Sequence, residues 1–277
     1  MVEAALCPHG LYSLRLTART EVWKAQLSGG RWVEARQLHD GSVLVRASCE
    51  QSVDDARFLL ALDDDTSEFH RRFARDPLLG TSVRVLRGLR PTRTATVAHA
   101  ALRAISGQLI QSRRAREIER VVIRACGESP PSRETLARLS PAALTGCGLA
   151  ESRAATLARL VRRVDLESLK TSGAPTALAR LHRERGIGPW SVGVIALQGL
   201  GRYDAGLVAD LSLVKLFASL RGRWPDPPAE TAELLTPYGE WQGLASVFLL
   251  AGFARGLVPG ASTDRARLVR RAYRPAA

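Results

Sequence analysis

The hydrophobic pattern changes once along the chain, near residue 90. Before that point, short stretches alternate in part with a period of two: Tyr12–Thr17, Val22–Leu27, Arg31–Leu38 and Ser42–Ala47. Such stretches predict strands with one buried face. Ser28-Gly29-Gly30 and Asp40-Gly41 fall between them and are β-hairpin signals. Val53–Leu62 and Thr66–Ala74 predict helices on either side of the acidic turn Asp63-Asp64-Asp65. Residues 1–90 are therefore expected to form a small mixed domain, an antiparallel sheet with a helix or two. Gly88-Leu89-Arg90-Pro91 is expected to be the linker out of it.

After Pro91 the period becomes helical and stays so. Val97, Ala98, Ala101, Leu102, Ile105 and Leu109 mark one face. Ala115, Ile118, Val122 and Ala125 mark the next helix, which should end at Gly127. Ser140-Pro141 has the form of an N-cap followed by proline at the first helical position. Leu157, Leu160, Val161 and Val164 give a further face, and residues 265–271 a short basic helix. Residues 91–277 are expected to be an all-helical body, so the fold class is mainly α with a small α+β N-terminal domain.

Charge sharpens this division. Residues 1–90 carry 13 Lys+Arg against 12 Asp+Glu, whereas residues 91–277 carry 27 against 15. A basic helical body points to a polyanionic partner. An arginine-rich genome would explain arginine in place of lysine, but not this asymmetry. Cys7, Cys49, Cys126 and Cys147 are scattered with no C-x-x-C pair, so neither zinc nor a clustered iron–sulfur site is indicated. The N-terminus has no signal-peptide pattern and no long apolar run predicts a membrane span. A cytoplasmic protein that associates with the nucleoid, without membrane contact and monomeric, is the expectation.

The richest stretch is Leu181–Lys215. Thr176–Arg185 should form a helix, Gly186-Ile187-Gly188 a tight hairpin, and Pro189 the first turn of a second helix, so that a helix–hairpin–helix spans about 176–200. The exposed N–H groups of that first turn suit a phosphate oxygen. Taken alone the glycines also fit a plain helix stop before a new helix. Asp204 and Asp210 follow, and Asp210 stands just before an apolar helix of Leu211, Leu213, Val214, Leu216 and Phe217. Its ordinary reading is an N-cap; its functional reading is an ionised carboxylate facing a reactive centre.

The segment G-I-G-P-W-S, then D-x5-D ahead of an apolar helix, resembles the helix–hairpin–helix superfamily of base-excision DNA glycosylases. Ala100–Ser112 is similar to that family's A-I-x-G-Q segment, and Pro237–Leu250 to its late proline–aromatic helix. A β-rich N-terminal region before a helical body is similar to the 3-methyladenine DNA glycosylase II branch. The resemblance implies that a damaged nucleotide is flipped out of double-stranded DNA into a pocket. It implies that Asp210 stabilises the cationic sugar as the N-glycosidic bond breaks. Gln108 and Leu109 would fill the gap in the duplex, Leu109 as an apolar wedge. Leu109 fits plain core packing equally well. Gly186, Ile187 and Gly188 would anchor a DNA phosphate. The resemblance implies no cofactor beyond a monovalent cation at the hairpin when DNA is bound, and no metal site.

Branches that also cut the backbone carry a Schiff-base lysine where this chain has Trp190. That implies a monofunctional enzyme, with Trp190 lining the pocket and stacking on an alkylated base. Val194 and Leu235 stand where the alkyl-purine branch often has aromatic residues; Tyr238, Trp241 or Tyr203 would then compensate. The substrate expectation is an alkylated purine. The alternatives are oxidised or deaminated bases within the same superfamily, or a non-catalytic binder of damaged or unusual DNA.

Overall fold

The computed structural model describes residues 1–108 and 110–273. Its N-terminal part holds β1 (Val2–Leu6), α1 (Leu14–Ala18), β2 (Val22–Gln26), β3 (Trp32–Gln37), β4 (Val43–Ala47) and α2 (Glu50–Leu59). The strands form one antiparallel sheet in the order β1-β4-β3-β2. Val33, Ala35, Val43, Val45 and Ala47 are buried, and Val53, Ala56 and Leu59 of α2 belong to the same apolar cluster. Alternation thus placed three strands correctly. It failed at Tyr12–Thr17, which is helical over Leu14–Ala18. Ser13 Oγ accepts from Leu16 N at 3.2 Å there, a side-chain cap that starts a helix where the apolar spacing suggests a strand. Strand β1 was missed because its alanine-rich sequence has little β propensity.

The remaining helices are α3 (Ser67–Phe73), α4 (Gly80–Val85), α5 (Val97–Gly107), α6 (Ser112–Cys126), α7 (Arg133–Arg138), α8 (Pro141–Gly146) and α9 (Glu151–Arg163). They continue with α10 (Ala174–His182), α11 (Pro189–Val194), α12 (Leu211–Arg221), α13 (Pro227–Leu235), α14 (Gln242–Ala254) and α15 (Thr263–Ala272). One large core joins them, and it takes in Phe69, Phe73, Leu79, Val83, Leu86 and Leu89. The division between the two cores therefore falls between residues 62 and 69, earlier than the expected boundary at 90.

The expected linker at 88–91 is a buried seam instead. Gly88 has φ +82, and a Cβ there would lie 2.7 Å from Ser13 N, so only glycine permits this approach. Arg90 is 1% exposed. Its guanidinium donates to the carbonyls of Ala61, Leu62, His9 and Leu11, tying three loops together.

Helix α5 runs through the middle of the helical core, with eight buried residues. Thr96 caps it by accepting from His99 N at 3.0 Å, and Glu167 Oε1 accepts from Val97 N at 2.7 Å. These acceptors satisfy N–H groups that the first turn cannot pair internally. Among the described residues no helix is long and apolar enough to cross a membrane.

Candidate active site

Helices α10 and α11 meet through the tight turn 183–188, so the first helix stops at His182, three residues before the expected Arg185. Glu184 N donates to Leu181 O at 3.1 Å and Ile187 N to Glu184 O at 3.0 Å. Ile187 is buried and plugs the turn into the core. Gly186 has φ +85, and a Cβ would lie 2.5 Å from Thr156 Oγ1. Conformation and space both demand glycine there. A Cβ on Gly188 would meet nothing within 4 Å, so the apex is open. Pro189 has no N–H. Among the described hydrogen bonds the N–H groups of Gly188, Trp190 and Ser191 have no acceptor within the chain. They are free at the positive end of a helix, the arrangement that receives anions.

Gln108 caps the C-terminus of α5 and clasps this hairpin. Its Nε2 donates to Gly186 O and to Ser191 Oγ, both at 2.9 Å. The side chain expected to enter a gap in the duplex is thus engaged in holding α5 to the hairpin. Leu109, the expected wedge, lies outside the described residues.

Trp190 and Asp210 come together. Trp190 Nε1 donates to Asp210 Oδ2 at 3.0 Å, and Asp210 Oδ1 accepts from Ser212 N at 2.8 Å. Both carboxylate oxygens are therefore fixed, one by the N-cap and one by the indole. The cap reading and the functional reading of Asp210 are both compatible with this geometry, because each uses a different oxygen. Trp190 was expected to stack on a base; here the indole N–H orients the carboxylate.

The supporting residues were not read from the sequence. Gly107 lets the indole lie against α5, since a Cβ there would come within 2.7 Å of Trp190 Cη2. Gly193 in α11 lets the loop 201–210 lie against the helix, since its Cβ would come within 2.3 Å of Gly206 O. Ala209 has φ 65, and its N–H donates to the buried Thr231 Oγ1 at 2.8 Å, which sets the backbone just before Asp210. An isolated glycine inside a helical pattern, such as Gly193 in W-S-V-G-V, is the one signal that could have pointed there.

The late segment from Pro237 has a different part from the one expected. Gly243 N donates to Tyr203 O at 2.7 Å, and Ser246 Oγ accepts from Leu207 N at 3.1 Å. Helix α14 thus grips the loop that carries Asp210. Tyr238 is a core residue and not a pocket wall: it is buried against Phe73, and its hydroxyl lies 3.4 Å from Asp76 Oδ1. Trp241 is half-buried and stacks on Tyr203 at 5.9 Å beside a cavity that also touches Asp204. No described hydrogen bond or ring contact joins Trp241 to Trp190 or Asp210. Val194 and Leu235 are buried aliphatic residues of the core. Among the described residues no cluster of His, Cys, Asp or Glu could hold a metal ion.

A helix–hairpin–helix whose free N–H groups lie beside an oriented carboxylate, in a helical body preceded by a small antiparallel sheet, defines the architecture of a helix–hairpin–helix DNA glycosylase. No family model matches the chain. A DNA-3-methyladenine glycosylase of Bacillus subtilis is 28% identical over 204 residues, 68% of this chain and 67% of its own length. A probable bifunctional transcriptional activator/DNA repair enzyme AlkA of Mycobacterium tuberculosis is 30% identical over 200 residues, 67% of this chain but 39% of its own length. The solved 3-methyladenine DNA glycosylase of Archaeoglobus fulgidus superposes with a TM-score of 0.75 at 18% identity, covering 91% of this chain and 98% of that one. The chain is thus similar in sequence to a 3-methyladenine DNA glycosylase and shares the fold of the helix–hairpin–helix DNA glycosylases.

Proposed function

We propose that this protein is a monofunctional DNA glycosylase that releases alkylated purines such as 3-methyladenine from duplex DNA. The observation that carries the reading is the Asp210 carboxylate, fixed by the Ser212 N–H and the Trp190 indole one turn from the open hairpin. As the N-glycosidic bond lengthens, positive charge grows on the sugar, and a preoriented carboxylate stabilises that charge without reorganising. The free N–H groups of Gly188, Trp190 and Ser191 would hold a backbone phosphate, which positions the strand but reads no base. Ile187 O accepts no N–H among the described hydrogen bonds, so this carbonyl would be able to hold a monovalent cation, whose charge would favour a phosphate at the hairpin. The Bacillus subtilis relative is a DNA-3-methyladenine glycosylase, which supports alkylated purines as the substrate class.

The side chain at the hairpin supports hydrolysis by water over backbone cleavage. Trp190 cannot form a Schiff base. Of the three lysines, Lys24 and Lys170 are paired with Glu34 and Glu167, and Lys215 stands on α12, outside the hairpin. The test is a panel of duplexes, each with one defined lesion, assayed with and without alkali. Strand breaks at alkylated purines only after alkali are expected, with no adduct after borohydride. An adduct would overturn hydrolysis; failure to release any alkylated purine would overturn the substrate assignment.

A further inference from the structure

A cavity of about 440 Å³ opens beside the hairpin, lined by Arg159, Arg163, Arg180, Arg183, Glu184 and Arg185. Five guanidinium groups thus surround a single carboxylate. That carboxylate, Glu184, is buried and already engaged by Arg180. Arg159 reaches across from α9 to the Arg185 carbonyl and so builds the wall between α9 and the hairpin. Arg163, Arg183 and Arg185 are exposed, and none has a carboxylate partner among the described ion pairs. Like charges converging on one hollow repel one another unless an anion neutralises them. The planar fork of guanidinium matches phosphate oxygens.

The cavity shares structure with the hairpin. Thr156, one turn before Arg159, is the residue against which Gly186 packs. A strand whose phosphate rests on Gly188, Trp190 and Ser191 would pass this hollow with its next phosphates. We infer that the arginine cavity is a second DNA-backbone site, which takes a phosphate further along the same strand. The inference rests on the reading of the protein as a DNA glycosylase, but not on the catalytic role of Asp210.

The test replaces the three exposed arginines together, Arg163→Ala, Arg183→Ala and Arg185→Ala. Arg159 and Arg180 are kept because they hold the local fold. Affinity for a duplex carrying an abasic-site analogue is measured against salt, for this variant and for the wild type. For every phosphate that the variant no longer neutralises, the slope of log affinity on log salt should drop by about 0.9. A fall of about 1 to 2 in slope is expected, and Lys in place of Ala should restore most of it. Shortening one flank of the duplex should make the two proteins equal, and shortening the other should not. Equal slopes, or a deficit that persists whichever flank is removed, would overturn the inference. A rise in Tm of the wild type alone with inorganic tripolyphosphate, with DNA slopes unchanged, would reassign the cavity to a free anion. Base release by the wild type is followed in parallel. Release with equal slopes sinks only the cavity; unequal slopes with no release from any lesion sink only the catalytic reading.

Discussion

Trp190 donates its indole N–H to the Asp210 carboxylate at 3.0 Å, across twenty positions of sequence. The second helix of the hairpin and α12 are thereby coupled at the carboxylate that the proposed reaction would use. The other oxygen of Asp210 caps α12, so the carboxylate cannot turn without breaking a backbone bond. Replacing Asp210 by Asn keeps an acceptor for the cap but removes the charge. Base release in single turnover should fall by about 100-fold or more, while duplex affinity stays within about 3-fold. Release at the normal rate would remove Asp210 from the mechanism.

Trp190→Phe separates ring from N–H. Phenylalanine retains an aromatic face beside Gly107 but cannot donate to Asp210. A hydrogen bond to a charged group is worth about 1.5–3 kcal/mol, so a loss of about 10-fold or more in kcat is expected with little change in KM. A rise in KM alone would identify the ring as a wall of the substrate site.

Gly107→Ala should act through the same bond. The added methyl would meet Trp190 Cη2 at 2.7 Å, and the indole must swing away from Asp210. Activity should fall to a level similar to that of Trp190→Phe, and the double variant should lose little more, since neighbours in one network are not additive. Full additivity in a double-mutant cycle would show that the two positions act separately.

Glu119 on α6 links stability to pH. Burial pushes its carboxyl up, but His99 and Arg103, which contact it, outweigh that and hold it below the ordinary glutamate value. A depressed folded value means that the stabilisation is complete above the unfolded value of about 4.3 and is lost as the pH falls through the folded one. Urea titrations from neutral pH into that acid range should show Glu119→Gln losing less stability on acidification than the wild type. Parallel acid profiles would place the sensitive group elsewhere.

Arg90 offers a test of the seam between the two cores. Removing its side chain leaves the carbonyls of Ala61, Leu62, His9 and Leu11 without their charged donor. Arg90→Ala should cost about 3 kcal/mol or more in chemical denaturation. Lys should rescue only part, because an ammonium cannot span the fork of acceptors. A change below about 0.5 kcal/mol would mean that those carbonyls find other partners.

Local patterning determined a good deal of this protein. The periods of two and of 3.6 placed β2, β3, β4 and most helices, and Gly186, Pro189 and Gly127 marked turns through backbone rules that act within a few residues. The same locality made Asp210 visible as a cap. Tertiary structure decided what those residues do. Whether Asp210 meets Trp190 depends on Gly107, Gly193 and Thr231, whose roles are clearances and bonds to chain distant in sequence. The burial of Arg90, the withdrawal of Tyr238 into the core and the gathering of five arginines beside the hairpin have the same origin. Side-chain type sets what a group can bond to; only packing sets which partner arrives, because a meeting of remote segments leaves no period in the sequence that encodes it.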